Sequence, residues 1–174
     1  MIQIHTDGSC LGNPGAGGWA AVIVDENNQR EEIFGGEEHT TNNRMELTAA
    51  IKALEKIPAG ERVELFTDSS YLKNAFTNGW LAKWKANNWA DAIQRGILNL
   101  DLWRELDELV ANRSVQFKWV KGHAGNPLNE RCDILARTTA EKYQRGAFKT
   151  SPKPPRRVPE PSKPSKPVQL SLFD

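Results

Sequence analysis

The sequence predicts an α/β domain with a mixed sheet, and three observations carry that expectation. The run Ile2-Gln3-Ile4-His5-Thr6-Asp7 alternates apolar and polar residues and stops on a carboxylate followed by Gly8-Ser9, and the same arrangement returns at Val63-Glu64-Leu65-Phe66-Thr67-Asp68. Alternation with period two marks a strand that lays one face on a core. Two further strand-like runs, 19–24 and 31–36, follow the first at spacings too short for helical crossovers, which predicts an antiparallel meander. A stretch of helical periodicity then separates the meander from the Val63 strand. That strand is therefore expected to join the sheet in parallel, through a right-handed crossover.

Taken in order, the first strand is expected to end at Asp7 and to give way to a Gly-rich turn spanning Gly12 to Gly18. Asp25-Glu26-Asn27-Asn28 turns the second strand into the third. Asn43 and Glu46 have the spacing of a capping box, and Leu47, Ala50, Ile51 and Leu54 repeat at helical intervals after it, until Pro58-Ala59-Gly60 ends the helix. Residues 70–112 are helical in pattern but broken at Asn78-Gly79 and Asn87-Asn88, and they concentrate Trp80, Trp84, Trp89 and Trp103; this reads as an insertion whose last helix begins at Leu100. Val115 to Val120 alternates as a fifth strand. After the small-residue loop Lys121-Gly122-His123-Ala124-Gly125, Asn126-Pro127 supplies an N-cap and a first helical position for the final helix, with Cys132, Leu135, Ala136, Ala140 and Tyr143 on its inner face.

From residue 149 the composition changes. Seven of the ten prolines fall between Pro152 and Pro167, and residues 149–174 carry six Lys/Arg against two Asp/Glu, leaving the first 148 residues with 17 against 20. The expected organisation is a folded domain over 1–148, a Pro/Lys-rich linker without fixed structure over 149–167, and a short apolar peptide at 168–174. Because the folded part is mildly acidic, any nucleic acid must be bound by local basic patches around a negative centre rather than by an overall field. Two cysteines, Cys10 and Cys132, give neither a disulfide framework nor a zinc pattern. With no apolar run of membrane-spanning length and no basic-then-apolar leader, the expectation is a soluble cytoplasmic protein; it is further expected to be a monomer.

Four acids stand out: Asp7 and Asp68 at strand ends, Glu46 in the first turn of a helix, and Asp133 in the final helix. Each alone has an ordinary structural explanation, as a cap, a turn residue or a solvated helix position. Together they form a set of hard oxygen donors without interspersed thiols, suited to Mg²⁺ or Mn²⁺ and so to phosphoryl chemistry.

Four motifs then add a resemblance. Thr6-Asp7-Gly8-Ser9-Cys10-Leu11-Gly12-Asn13-Pro14-Gly15, Thr41-Asn42-Asn43-Arg44-Met45-Glu46-Leu47, Thr67-Asp68-Ser69, and Trp119-Val120-Lys121-Gly122-His123-Ala124-Gly125 with Asn129-Glu130-Arg131-Cys132-Asp133 closely resemble the bacterial ribonuclease HI family, in order and with family spacing over about residues 1–145. The resemblance implies a ribonuclease H-like fold, a five-stranded mixed sheet with its first strand central and helices on both sides. It implies an endonuclease that hydrolyses the RNA strand of RNA/DNA hybrids and leaves 5′-phosphate and 3′-hydroxyl ends. Asp7, Glu46, Asp68 and Asp133 then match the metal-binding carboxylates, with two Mg²⁺ ions (Mn²⁺ as a substitute) about 4 Å apart on the bound substrate. His123 matches a loop histidine that assists proton transfer or product release; an imidazole, with an ordinary pKa of ~6.5, exchanges protons at neutral pH.

Cys10, Asn13, Thr41, Asn42 and Asn43 are expected near the ribose in a minor groove, since the 2′-hydroxyl both donates and accepts. Trp80, Trp84, Lys83 and Lys85, with Arg95, resemble the basic protrusion that grips the DNA strand; Trp84 and Trp103 are equally readable as core. The chain departs from the family pattern in an insertion poor in Lys and Arg, and in Ser70 where glutamine is usual. A junction resolvase or integrase-like nuclease shares acids at strand ends but not the Thr41 to Glu46 or Lys121 to Gly125 motifs, and a hybrid-binding module would not need all four acids. At the far end, Gln169-Leu170-Ser171-Leu172-Phe173 resembles the peptide by which bacterial replication proteins dock to the sliding clamp, with Leu172 and Phe173 as apolar anchors.

Overall fold

A computed structural model of the chain describes residues 1–122 and 125–146. Strands β1 (Ile2–Leu11), β2 (Gly15–Val24) and β3 (Arg30–Thr40) are followed by helix α1 (Asn42–Glu55) and strand β4 (Arg62–Thr67). The insertion comprises α2 (Ser70–Thr77), α3 (Trp80–Ala86), α4 (Ala90–Gln94) and α5 (Leu100–Ala111); β5 (Ser114–Trp119) and α6 (Pro127–Gln144) complete the fold. The sheet order is β3-β2-β1-β4-β5, with β1 central. β1 pairs antiparallel with β2 and parallel with β4, so the sheet is mixed, as the connection lengths require.

The two faces carry different layers. Ile4, Ala21 and Leu65 meet α1 and α5 on one side, through Leu47, Ile51 and Trp103. On the other side Ala20 and Val22 receive Cys132, Leu135 and Ala136 of α6. Gly18 makes that contact possible, since a Cβ there would stand 2.1 Å from the Ala136 carbonyl oxygen. Tyr143, expected on the inner face of α6, is half-buried, its ring packed close over Gly36.

Two local expectations are corrected. β1 does not end at Asp7: its antiparallel ladder with β2 continues to Leu11 opposite Ala16, so Gly15 to Gly18 are strand and the turn shrinks to residues 12–14. What stops near Asp7 is the parallel ladder with β4, whose last pair is His5 with Phe66. The α1 N-cap is Thr41, not Asn43; Thr41 is extended, and its hydroxyl accepts from the Arg44 N–H at 3.3 Å. Glu46 is thereby released from any capping role and faces inward. The final helix begins as expected, with Asn126 accepting from the N–H groups of Leu128 and Asn129.

In the insertion, α3, α4 and α5 each start after a residue with left-handed backbone: Gly79, Trp89 and Asn99. Trp103 is core, 1% exposed, with its indole N–H donating to the Tyr71 hydroxyl at 3.1 Å. Trp84 is half-buried and Trp80 exposed, so the aromatic set divides into core and surface members. No helix among the described residues is long and apolar enough to cross a membrane.

Candidate active site

Asp7 projects from β1 just past the point where β4 leaves it, and Asp68 follows the last residue of β4. Neither has a ladder partner between them, so the two strands splay and both carboxylates face the opening. Glu46 arrives from the first turns of α1. That approach depends on Gly8, where a Cβ would lie 2.5 Å from the Glu46 backbone nitrogen and 2.6 Å from the Met45 carbonyl carbon. One carboxylate oxygen from each of Asp7, Glu46 and Asp68 then falls within 4.8 Å of the others.

Such crowding disfavours ionisation. Burial, with the Asp68 carboxylate beside it, pushes Asp7 up to about 7, even though the Gly8 N–H donates to its Oδ1 at 2.9 Å. Burial raises Glu46 well above the ordinary range, and the charges of Asp7 and Asp68 add to it. Glu46 Oε2 is buried and meets no donor group, its carboxyl lying against that of Asp7, with which it can share a proton when no cation is bound. Buried carboxylate oxygens are seldom left so, because the desolvation penalty goes unanswered. A divalent cation would answer it, and three clustered hard oxygen donors are the donor type that suits Mg²⁺ or Mn²⁺.

Asp133 stands beside this trio rather than within it. It shares a small cleft with Asp68, floored by Gly122 and Asn129, and its charge is felt at Asp7. Its Oδ2 lies 4.0 Å from an Arg137 guanidinium nitrogen, one turn along α6. Of the four expected carboxylates, three therefore converge directly and the fourth flanks them. His123 lies outside the described residues.

The expected substrate residues fall into two groups. Around the start of α1, the Asn13 side-chain oxygen accepts from the Asn42 N–H at 3.0 Å, joining the β1–β2 turn to the helix; Thr41 caps that helix; and the half-buried Cys10 thiol donates to the Thr40 carbonyl at 3.3 Å. Asn43, Trp80 and Trp84 instead line a cavity of about 370 Å³, together with Arg95. Lys83 is exposed, whereas Lys85 is paired with Asp107 at 3.0 Å. Sequence reasoning missed Asn99 and Tyr71 in the cavity wall. Asn99 donates to the Tyr71 hydroxyl at 3.1 Å and accepts from Arg44, which pairs with Asp101 at 2.9 Å. The only local signal at Asn99 is that asparagine tolerates the left-handed backbone it adopts.

Comparison with known proteins shows the family. The sequence model of the RNase H family matches residues 1–141. A ribonuclease H of Pseudoalteromonas atlantica is 50% identical over 139 residues, spanning 80% of this chain and 90% of its own. One from Nitratidesulfovibrio vulgaris is 51% identical over 141 residues, spanning 81% and 90%. Among solved structures, LC9-RNase H1, described as a type 1 RNase H with the type 2 active-site motif, superposes with a TM-score of 0.68 at 30% identity, over 86% of this chain and 82% of that one. LC11-RNase H1, solved in complex with an RNA/DNA hybrid, shares the fold with a TM-score of 0.58 at 24% identity, over 82% of this chain and 98% of its own.

Proposed function

The chain belongs to the RNase H family, and from that membership we propose that it is a metal-dependent endonuclease that hydrolyses the RNA strand of RNA/DNA hybrids and leaves 5′-phosphate and 3′-hydroxyl ends. The observation that carries the reading is the trio Asp7, Glu46 and Asp68 within 4.8 Å, with Glu46 Oε2 buried and meeting no donor group. These residues, with Asp133 alongside, hold the divalent ions, Mg²⁺ in the cell with Mn²⁺ as a substitute. Bound there, two ions would supply an activated water on one side of phosphorus and charge neutralisation at the leaving oxygen on the other.

The chain's own groups do the rest. Cys10, Asn13, Thr41, Asn42 and Asn43 present backbone and side-chain polar groups for the ribose hydroxyl of the RNA strand. Trp80 and Trp84 offer a stacking surface to the DNA strand, with Lys83, Lys85 and Arg95 for its phosphates. His123, beyond the described residues, assists proton transfer or product release. The enzyme acts as a monomer, and the free thiols Cys10 and Cys132 fit a reducing cytoplasm. Gln169, Leu170, Leu172 and Phe173, also beyond the described residues, dock to the sliding clamp and tether the enzyme near replicating DNA.

The test is cleavage of a labelled RNA/DNA duplex beside RNA/RNA and DNA/DNA controls, in Mg²⁺ and in chelator. Only the RNA of the hybrid should be cut, and only with metal present; equal cleavage of RNA/RNA, or activity in chelator, refutes the reading. Deleting residues 168–174 should leave hydrolysis intact and remove binding to purified clamp, and retained binding would sink the docking assignment.

Metal uptake should also be linked to pH. Because burial and neighbouring charge lift Asp7 to about 7, ions must displace a proton from it below that pH and need displace none well above it. Apparent Mg²⁺ affinity is expected to fall by up to about tenfold per pH unit below 7 for each proton displaced. Calorimetric titrations at pH 6 and pH 8 in two buffers of different ionisation heat check this. Equal affinities would show that Asp7 does not compete for the metal.

A further inference from the structure

The three elements that deliver Asp7, Asp68 and Asp133 meet at one side chain one step behind all three. His5 is two residues before Asp7 on β1, so the two share a face of the sheet. Its ring stacks on Phe66 of β4 at 4.6 Å between centroids and 6° between planes, and Phe66 in turn is two residues before Asp68. Its Nδ1 lies 2.6 Å from Oδ1 of Asn129, which sits four residues before Asp133 on the same face of α6. Since Oδ1 only accepts, the imidazole carries its proton on Nδ1 and donates it. The His5 main chain is held as well, its carbonyl accepting from the Cys132 thiol at 3.2 Å.

We propose that His5 is a positioning residue for the metal centre, fixing the spacing of Asp7, Asp68 and Asp133 by clamping β1, β4 and α6 together immediately behind them. This rests on the metal reading of the site given above.

The topology explains why such a clamp is needed. His5–Phe66 is the last pair of the β1–β4 ladder, so beyond it no backbone hydrogen bond between these strands holds Asp7 at a set distance from Asp68. α6 has no ladder to the sheet at all and is placed by side chains. A ring that is 4% exposed, stacked on one neighbour and hydrogen-bonded to another has little freedom. Any slip of β4 or α6 at His5 is therefore passed along a few residues of rigid backbone to a carboxylate. Groups hydrogen-bonded directly to metal ligands typically contribute 10- to 100-fold to metal affinity; His5 acts one residue further back, so the low end of that range, about tenfold, is expected.

Three substitutions separate the contacts. His5→Phe keeps a ring on Phe66 and removes the donor; His5→Asn places an amide nitrogen near the Nδ1 position and removes the ring; Asn129→Ala removes the acceptor. Mn²⁺ and Mg²⁺ binding is measured by calorimetry in the absence of nucleic acid, with the melting temperature of the metal-free protein recorded beside it. His5→Phe and Asn129→Ala should each weaken metal binding about tenfold, and combining them should add little because they break one shared contact. His5→Asn should recover part of the affinity. With hybrid substrate, kcat should fall at fixed Mg²⁺ while KM for the hybrid holds.

If His5→Phe and Asn129→Ala lower the melting temperature but bind metal like wild type, His5 is only a core residue and the proposal fails. Asp7→Asn serves as the reference. Unchanged metal binding in that variant would overturn the metal reading itself, whereas its loss beside an unaffected His5→Phe would overturn the positioning role alone. Should His5→Phe not fold, His5→Leu, which removes the donor without altering the cleft that Asn129 lines, takes its place.

Discussion

Asp7→Asn is expected to lower hybrid cleavage by at least about 1,000-fold and, in the same protein, to raise the melting temperature of the metal-free fold at pH 8. The first effect follows from the proposed metal role of Asp7, which offers a carboxylate oxygen within 4.8 Å of those of Glu46 and Asp68. Loss of a metal-held charge arrangement worth several kcal/mol at the transition state is a loss of several factors of ten in rate. The second effect has the opposite sign because the fold is opposed to this charge. Asp7 titrates at about 7 in the folded chain, against about 3.9 for an unfolded aspartate. The penalty is therefore absent below pH 4, develops between pH 4 and pH 7, and is complete above it. A neutral amide removes it, so the gain in melting temperature should be clear at pH 8 and vanish at pH 4. Thermal melts of both proteins in chelator at the two pH values decide the matter; a destabilised Asp7→Asn at pH 8 would mean the carboxylates are not in conflict.

Gly8→Ala should be nearly as damaging to activity without removing any functional group. Its Cβ would fall 2.5 Å from the Glu46 nitrogen and 2.9 Å from the Met45 Cβ, and main-chain atoms of a helix start cannot step aside as a flexible side chain can. Either α1 moves off β1 or the strand bends. Overpacking of this kind costs about 1–3 kcal/mol of stability, and displacing Glu46 by an ångström is enough for roughly 100-fold in rate. Denaturant unfolding and steady-state cleavage at saturating Mg²⁺ measure the two. Wild-type activity in a folded Gly8→Ala protein would show that Glu46 need not approach so closely.

Much of this architecture was legible in the chain itself. All five strands, α1, α5 and α6 occur in the order and near the positions that alternation, helical periodicity and the Asn126-Pro127 start give them, because these signals are local, although β1, β2 and β3 each run about four residues further than their alternation shows and α1 starts earlier. The errors were local competitions that tertiary contacts resolved. Asn43 and Thr41 are both good caps, and Thr41 is the one whose extended backbone and hydroxyl meet Arg44. Asp7 looked terminal because Gly8-Ser9 resembles a turn, yet β2 supplies a partner as far as Leu11. For the tryptophans, periodicity could not separate core from surface; Trp103 is buried against Tyr71 and Trp84, while Trp80 stays exposed beside the cavity.

The order and type of the main elements and the family to which the chain belongs are written in short contiguous motifs, which also single out the four acids as candidates. The tertiary structure alone decided which acids meet. Asp7, Glu46 and Asp68 are brought together by the bare backbone at Gly8 and by the parting of β1 from β4, Asp133 is left at their side, and His5 is joined to Phe66 and Asn129 across 61 and 124 residues of chain. Convergence over such separations is set by how closely whole elements pack, and no residue pattern within one element records it.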